Sequence, residues 1–231
     1  MFGCRTGALA EYVSARDCVA LKPAHVSFEE AAAVPLAGIT ALQGLRDHAK
    51  VQPGQRVLVN GASGGVGTFA VQIAKAMGAH VTAVCSTRNV ERAALLGADR
   101  VIDYTREDFT RSNERYDVLF DVAGSRKWRE CARVLDPAGI LVMAGVPMAD
   151  TAFGPIGHIV RMRLGAMLAR RRAANFMARM TRDDLSALRD LLEEGKLHPV
   201  VEHRYDLGDA ADAFALMGEG HAQGKLVVMV R

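Results

Sequence analysis

Ala62, Gly64 and Gly67 sit at the spacing of a G-x-G-x-x-G turn, with alanine in first place, inside RVLVNGASGGVGTFAVQIAKAMGAHVTAVCSTR (residues 56–88). Each position answers a demand of phosphate chemistry. Residue 62 turns the chain off a strand, and at Gly64 the backbone must approach a pyrophosphate. Gly67 lets a helix pack closely on that strand. The amides opening the helix, at about Gly65 to Thr68, have no intrahelical acceptor and are free to donate to an anion. The flanking elements suit this chemistry. RVLVN reads as a strand, and Val66, Phe69 or Ala70, Ile73 and Met77 recur at helical spacing. Gly78 follows as the residue ending the helix, and HVTAVCS reads as the next strand. Strand, glycine turn, helix and strand together favour a dinucleotide cradle over a plain βα loop.

The end of the second strand bears on which dinucleotide. An NAD-preferring site places Asp or Glu there for the ribose 2′-hydroxyl. Here the residues are Cys85, Ser86, Thr87 and Arg88. Hydroxyls and a guanidinium suit a 2′-phosphate, which a carboxylate would repel, so NADP(H) is the expected cofactor.

The elements that must carry this site continue the alternation. DRVIDY (99–104), YDVLFDVAG (116–124) and GILVMAGVP (139–147) read as third, fourth and fifth strands, with a helix over Val90–Leu96 closed by Gly97. Continuous apolar runs suit strands covered on both faces. The expected fold is α/β, a doubly wound parallel sheet of Rossmann type with ligand at the carboxyl ends of its strands. That geometry adds Tyr104, Ala123, Gly124, Gly145 and Val146 as candidate cofactor contacts. TRDDLSALRDLLEEGK predicts an amphipathic helix, with Thr181 and Asp184 as a capping box and Gly195 at its end.

Composition agrees with a globular enzyme. The chain has 231 residues, half of them apolar, and no run approaches the ~20 residues that span a bilayer. Without a signal-peptide pattern, and with Cys4, Cys18, Cys85 and Cys131 showing no zinc-site spacing, the expectation is a cytoplasmic protein with free thiols and no metal. From Thr151 to Arg182 there is no acid but seven arginines, at 161, 163, 170, 171, 172, 179 and 182. Taking these seven from a net charge of +3 leaves the rest at −4. The plainer reading is a helix packed on the sheet with its arginines in water. The other is contact with an anionic membrane surface along IVRMRLGAMLARRR. No aromatic residues interleave with the arginines, so nucleic-acid binding is not expected.

GALAEYV, SFEEAAAVPLAGITALQGL, the glycine-loop segment, LGADRVIDY and GKLHPVVEHRYDLGDAADAFALMGEGHAQGKLVV carry a family resemblance along nearly the whole chain. The sequence resembles the medium-chain dehydrogenase/reductase superfamily, and most of all its zinc-independent quinone oxidoreductase branch. The resemblance implies that Ala62, Ser63, Gly64, Gly65, Val66 and Gly67 bind the NADP(H) pyrophosphate. It also implies that Thr40 lies near the nicotinamide end, and that Tyr104 contacts the adenine-side ribose phosphate. Leu36 stands where a zinc-dependent relative would carry a cysteine ligand. The family's GroES-like domain precedes the motif with which this chain begins, so the resemblance implies a member lacking most of that domain. Residues 1–24 would be its remnant, 25–198 the cofactor domain, and 199–231 a segment returning to the catalytic-domain side.

No catalytic side chain is assigned. His158 is a candidate for the cleft floor, with a loop histidine bonded to solvent or backbone as the favoured reading. RAANFMAR matches the family's sixth strand, although Ala-Ala-Asn also permits a helical continuation. The apolar strand Leu226–Val230 is expected to be an exposed edge with few intrachain partners, and self-association through it implies a homo-oligomer. The expected activity is NADPH-dependent hydride transfer to a small-molecule quinone or activated alkene or carbonyl, without metal. The alternatives are a catalytically weak nucleotide-binding module and an NAD(P)-dependent alcohol dehydrogenase-like enzyme.

Overall fold

A computed structural model of the chain describes residues 9–13, 18–145, 154–220 and 222–230. Helices α1 (Phe28–Ala33) and α2 (Pro35–Gln43) lead through a π-helical turn, Gly44–Ala49, into the first βαβ unit. It consists of β1 (Arg56–Asn60), α3 (Gly67–Ala76) and β2 (His80–Cys85). Then come α4 (Val90–Leu95), β3 (Arg100–Asp103), β4 (Tyr116–Asp121), α5 (Trp128–Val134) and β5 (Leu135–Met143). The sheet ends with α6 (Gly154–Leu168) and β6 (Arg172–Asn175). After α7 (Arg182–Glu193), the chain forms β7 (Val201–Asp206), α8 (Ala210–Gly218) and β8 (Lys225–Met229).

Six strands form one parallel sheet in the order β3-β2-β1-β4-β5-β6. In-register pairs such as Val57↔Val81 and Val57↔Val118 place β1 at the centre. Strand alternation then sorts the apolar side chains into two layers. Val57, Val59, Val118, Phe120, Ile140 and Val142 face α2, α3 and α7, with Cys85 in the same layer. Leu58, Leu119, Leu141 and Met143 face α5 and α6, with Cys131, Trp128, Met162 and Ala166. Both faces are covered, which is why these strands read as apolar runs rather than alternating ones. The chain order reverses between β1 and β4, so the ligand crevice opens above the carboxyl ends of these two strands.

Segment 172–175 is a strand, pairing Ile140↔Arg172 to Met143↔Asn175. The helix ahead of it stops because Arg170 takes a left-handed conformation (φ +52°) while the amides of Arg170 and Arg171 return to Met167 and Ala166. Edge pairing on β5 outweighs the helical propensity of Ala-Ala-Asn. At α7, the Thr181 hydroxyl accepts from the Asp184 amide, but the expected reciprocal bond from the backbone is replaced. The Asp184 carboxylate instead takes the Thr181 hydroxyl, Gln43 Nε2 and Arg46 Nη2, each at 2.7 Å, and ties α7 to α2 and the π turn.

The expectation for the last strand is corrected. β8 is not an unpartnered edge: it pairs in parallel with β7, from Val201↔Lys225 to Asp206↔Met229, and Val227 is buried. Helices α1 and α8 pack against it. The chain itself supplies the apolar neighbours that the sequence alone did not reveal. No helix among the described residues is long and apolar enough to cross a membrane.

Candidate cofactor-binding site

The turn leaving β1 has Gly61 as its left-handed residue (φ +86°), and a side chain on Gly61 would press on the Ala123 backbone at 3.1 Å. The amides of Gly61 and Ala62 both bond to Val84 O, pinning the turn to β2, and Ala62 is fully buried. A Cβ on Gly67 would lie 2.0 Å from Gly61 O, so helix and turn approach as closely as a glycine permits. A Cβ on Gly64 would meet only Gly61 O, at 3.6 Å; the ground above it is open, as a cradle for a ligand requires. Thr68 N is taken by Gly64 O, which narrows the donors without a partner among the described residues to the amides of Gly65, Val66 and Gly67. These face the positive end of the ten-residue helix α3.

The sequence reading missed Lys225, some 160 residues away. Its side chain lies over Gly65: a Cβ there would meet Lys225 Cδ at 2.8 Å and Nζ at 3.3 Å. Burial alone pulls its pKa below the ordinary lysine value, and no hydrogen bond or ion pair engages its ammonium among the described residues. A largely buried cation without an anion is costly, and an anion lying on the loop would pair it. Open ground at Gly64, three free amides and an orphan ammonium fit a pyrophosphate. Only a weak signal was available in sequence: a lysine opening an apolar terminal strand.

Ser86, Thr87 and Arg88 stand beyond β2. The Tyr104 amide donates to Cys85 O, which brings exposed Tyr104 beside them. The absence of a nearby carboxylate holds in sequence but not in space. Asp103, ending β3, accepts from the Thr87 hydroxyl (2.5 Å) and from Thr105, and pairs with Arg106. The Thr87 hydrogen bond, with help from Thr105 and Arg106, holds its pKa low. The Thr87 proton is therefore committed to Asp103, and Ser86 and Arg88 remain as donors. Arg88 is itself steadied. With the Gln223 amide turned so that its oxygen faces the guanidinium, it accepts from Arg88 Nε at 3.2 Å and donates to Asn89 at 2.8 Å. Arg92 holds Gln223 O at 2.7 Å, so the strap ahead of β8 crosses the mouth of the site.

Across the crevice, Asp121 at the end of β4 is fully buried. It accepts from Asn60 Nδ2 (2.8 Å) and from the Gly124 amide (3.0 Å), joining the ends of β1 and β4. Ala123 and Gly124 form the turn beyond, and Gly145 packs so tightly on Val122 that a Cβ would lie 1.8 Å from its oxygen. Val146 lies outside the described residues. His158 is not on a loop: it is on α6, buried, and acts electrostatically on Asp121; its Nε2 and the second Asp121 oxygen both lack a partner among the described residues. Burial raises the Asp121 pKa despite its hydrogen bonds. Thr40 stands apart on α2, its hydroxyl donating to Leu36 O at 2.7 Å, which leaves it only acceptor capacity. The loop, Ser86–Arg88, Tyr104, Ala123, Gly124 and Gly145 thus converge at the carboxyl ends of the strands. Among the described residues no three of His, Cys, Asp and Glu group as a metal site.

A family described as zinc-binding dehydrogenase matches residues 96–228. The chain is similar to the chloroplastic quinone-oxidoreductase QR1 of Triphysaria versicolor. They are 33% identical over 232 residues, covering 96% of this chain and 68% of that protein. It is also similar to the mitochondrial NAD(P)H oxidoreductase RTN4IP1 of Mus musculus, at 34% identity over 258 residues, covering 98% of this chain and 62% of that protein. The solved structure of the quinone oxidoreductase from Coxiella burnetii superposes with a TM-score of 0.80 at 34% identity. That match covers 91% of this chain and 63% of the other, so the chain spans about two thirds of the length of these proteins.

Proposed function

The chain belongs to the zinc-binding dehydrogenase family, in the quinone oxidoreductase-like branch of the medium-chain dehydrogenase/reductase superfamily, and we propose that it is an NADPH-dependent oxidoreductase reducing a quinone or an activated alkene or carbonyl without metal. The observation that carries this reading is the unpaired Lys225 ammonium above Gly65, beside the free amides of Gly65 to Gly67. These groups would bind the pyrophosphate, with Ser86 and Arg88 at the 2′-phosphate and Tyr104 beside them. NADPH, when bound, supplies the hydride. The protein's part is to orient the cofactor and exclude water above β1 and β4, where Asp121 clamps Asn60 and the Gly124 turn into one rigid floor. A conjugated acceptor needs no Lewis acid to take a hydride, and support for metal-free chemistry comes from the donor set. Cys18, Cys85 and Cys131 are free thiols, and Leu36 is exposed on α2. Free thiols also support a reducing compartment, with which a cytoplasmic location is consistent.

The test is NADPH oxidation with a soluble quinone beside a direct NADPH and NADH binding titration. Turnover with tighter NADPH binding is expected. Binding without turnover would restrict the role to nucleotide binding, and a preference for NADH would overturn the 2′-phosphate assignment.

A further inference from the structure

Helix α6 buries one face on the sheet through His158, Met162 and Ala166 and turns a second apolar face to water. Ile156, Val160, Leu164, Met167 and Leu168 are between 47% and 82% exposed. At 100° per residue they cover an arc of about 120°, centred nearly opposite the buried face. Exposed Arg161 lies at one margin and exposed Arg163 at the other. None of the seven arginines between 161 and 182 pairs with a carboxylate among the described residues, and the segment Thr151–Arg182 contains no acid at all. A helix that only packs on the sheet needs one apolar face; the second is unexplained by the fold.

We propose that this outward stripe is a docking face for an anionic lipid surface, with α6 lying in the plane of the interface. Fifteen residues make a helix of about 22 Å, too short to span a ~30 Å core but suited to lie on it. The stripe would enter the headgroup boundary while the flanking guanidinium groups meet lipid phosphate and carboxylate. Charge complementarity selects this occupant. A second copy seated on the same face would bring Arg161 and Arg163 against their own counterparts, with no acid on the helix to pair them. A nucleic acid would satisfy the arginines but leave five apolar side chains against phosphate, with no aromatic residue among them to stack on bases.

The test is co-sedimentation of the full chain with phosphatidylserine-containing vesicles and with vesicles of phosphatidylcholine alone. Binding is expected to the anionic vesicles only, weakening as salt rises from about 0.1 M to about 0.5 M. Arg161→Gln with Arg163→Gln should weaken it about fivefold per charge. Leu164→Ser with Met167→Ser should weaken it at least about tenfold. Thermal stability and NADPH affinity of these variants should stay at wild-type values, since the positions are exposed and away from the crevice. Failure to bind anionic vesicles, or binding that survives both double substitutions, overturns the proposal. So does arginine-dependent, stripe-independent binding matched by duplex DNA. A dimer in solution that the serine substitutions dissociate, with no vesicle binding, would give the face to a second copy instead.

Discussion

Replacing Lys225 by methionine separates a ligand-binding lysine from a structural one, because the two roles predict opposite signs. Methionine keeps most of the stem that lies over Gly65 and removes the charge. If the ammonium awaits a phosphate, the ligand-free protein carries a desolvated, unpaired cation, and removing it should raise ligand-free stability by about 1 kcal/mol or more. NADPH should bind more weakly by about 1.5–3 kcal/mol, the contribution of a charge-assisted hydrogen bond, which is about 10- to 150-fold in Kd. The pH dependence supplies a second reading. Burial holds the Lys225 pKa below 10.5. Between that lowered value and 10.5 the unfolded chain binds more protons than the folded one, so ligand-free stability rises with pH in that window. A phosphate beside the group restores its affinity for the proton, so NADPH affinity should fall as pH climbs through the same window. Isothermal titration across alkaline pH and thermal unfolding of the ligand-free proteins measure both. Unchanged affinity in Lys225→Met, or a loss of stability with the alkaline slope intact, refutes the reasoning.

Gly64→Val should abolish NADPH binding and leave the melting temperature nearly unchanged, because its side chain occupies open ground. Gly67→Ala should cost about 1–3 kcal/mol of stability in denaturant unfolding, because its Cβ would collide with Gly61 O. Arg88→Ala should weaken NADPH by about 1–3 kcal/mol and leave NADH nearly untouched in parallel titrations; equal losses would make the guanidinium a partner of Gln223 only. Asp184→Ala should cost about 1–3 kcal/mol, since it removes the carboxylate that takes hydrogen bonds from Thr181, Gln43 and Arg46. Burial pushes the Asp184 pKa up, but hydrogen bonds from Thr181, Gln43 and Arg46 outweigh this and hold it below 3.8. Its contribution is therefore complete above 3.8 and fades as pH falls through the lowered folded value, a slope that acid unfolding of Asp184→Ala should lack.

What sequence could show divides along physical lines. The strands Arg56–Asn60 and Tyr116–Asp121 and helix α3 are legible because local periodicity and glycine placement encode them. The glycine turn is legible for the same reason, and the backbone angles add that its left-handed residue is Gly61. Contacts made by distant segments are not legible. Nothing local to Thr87 announces Asp103, and nothing local to Gly65 announces Lys225. The strand at Arg172–Asn175 shows pairing prevailing over propensity, and β8 shows a partner that arrives only after the chain has turned through α8. For α6, spacing identifies the apolar side chains but not how many faces they serve.

The two buried cysteines make the sheet's two layers separately observable in time. Burial pushes the Cys85 thiol up to about 11 and the Cys131 thiol up to about 12. Cys85, ending β2, is buried in the layer beneath α3, and Cys131 is buried on α5 in the opposite layer, which α6 also covers. A thiolate reagent reaches neither until its own side comes apart, so the labelling rate at each cysteine counts excursions of that side alone. Partly buried Cys18, bonded to Met180 O, gives the rate of a site that needs less opening. Equal protection at 85 and 131 would mean that the molecule opens as one cooperative unit. Slower exchange at Cys85 would mean that the helices behind the glycine loop outlast those on the arginine-rich side, and mass spectrometry of one labelled sample reads both clocks at once.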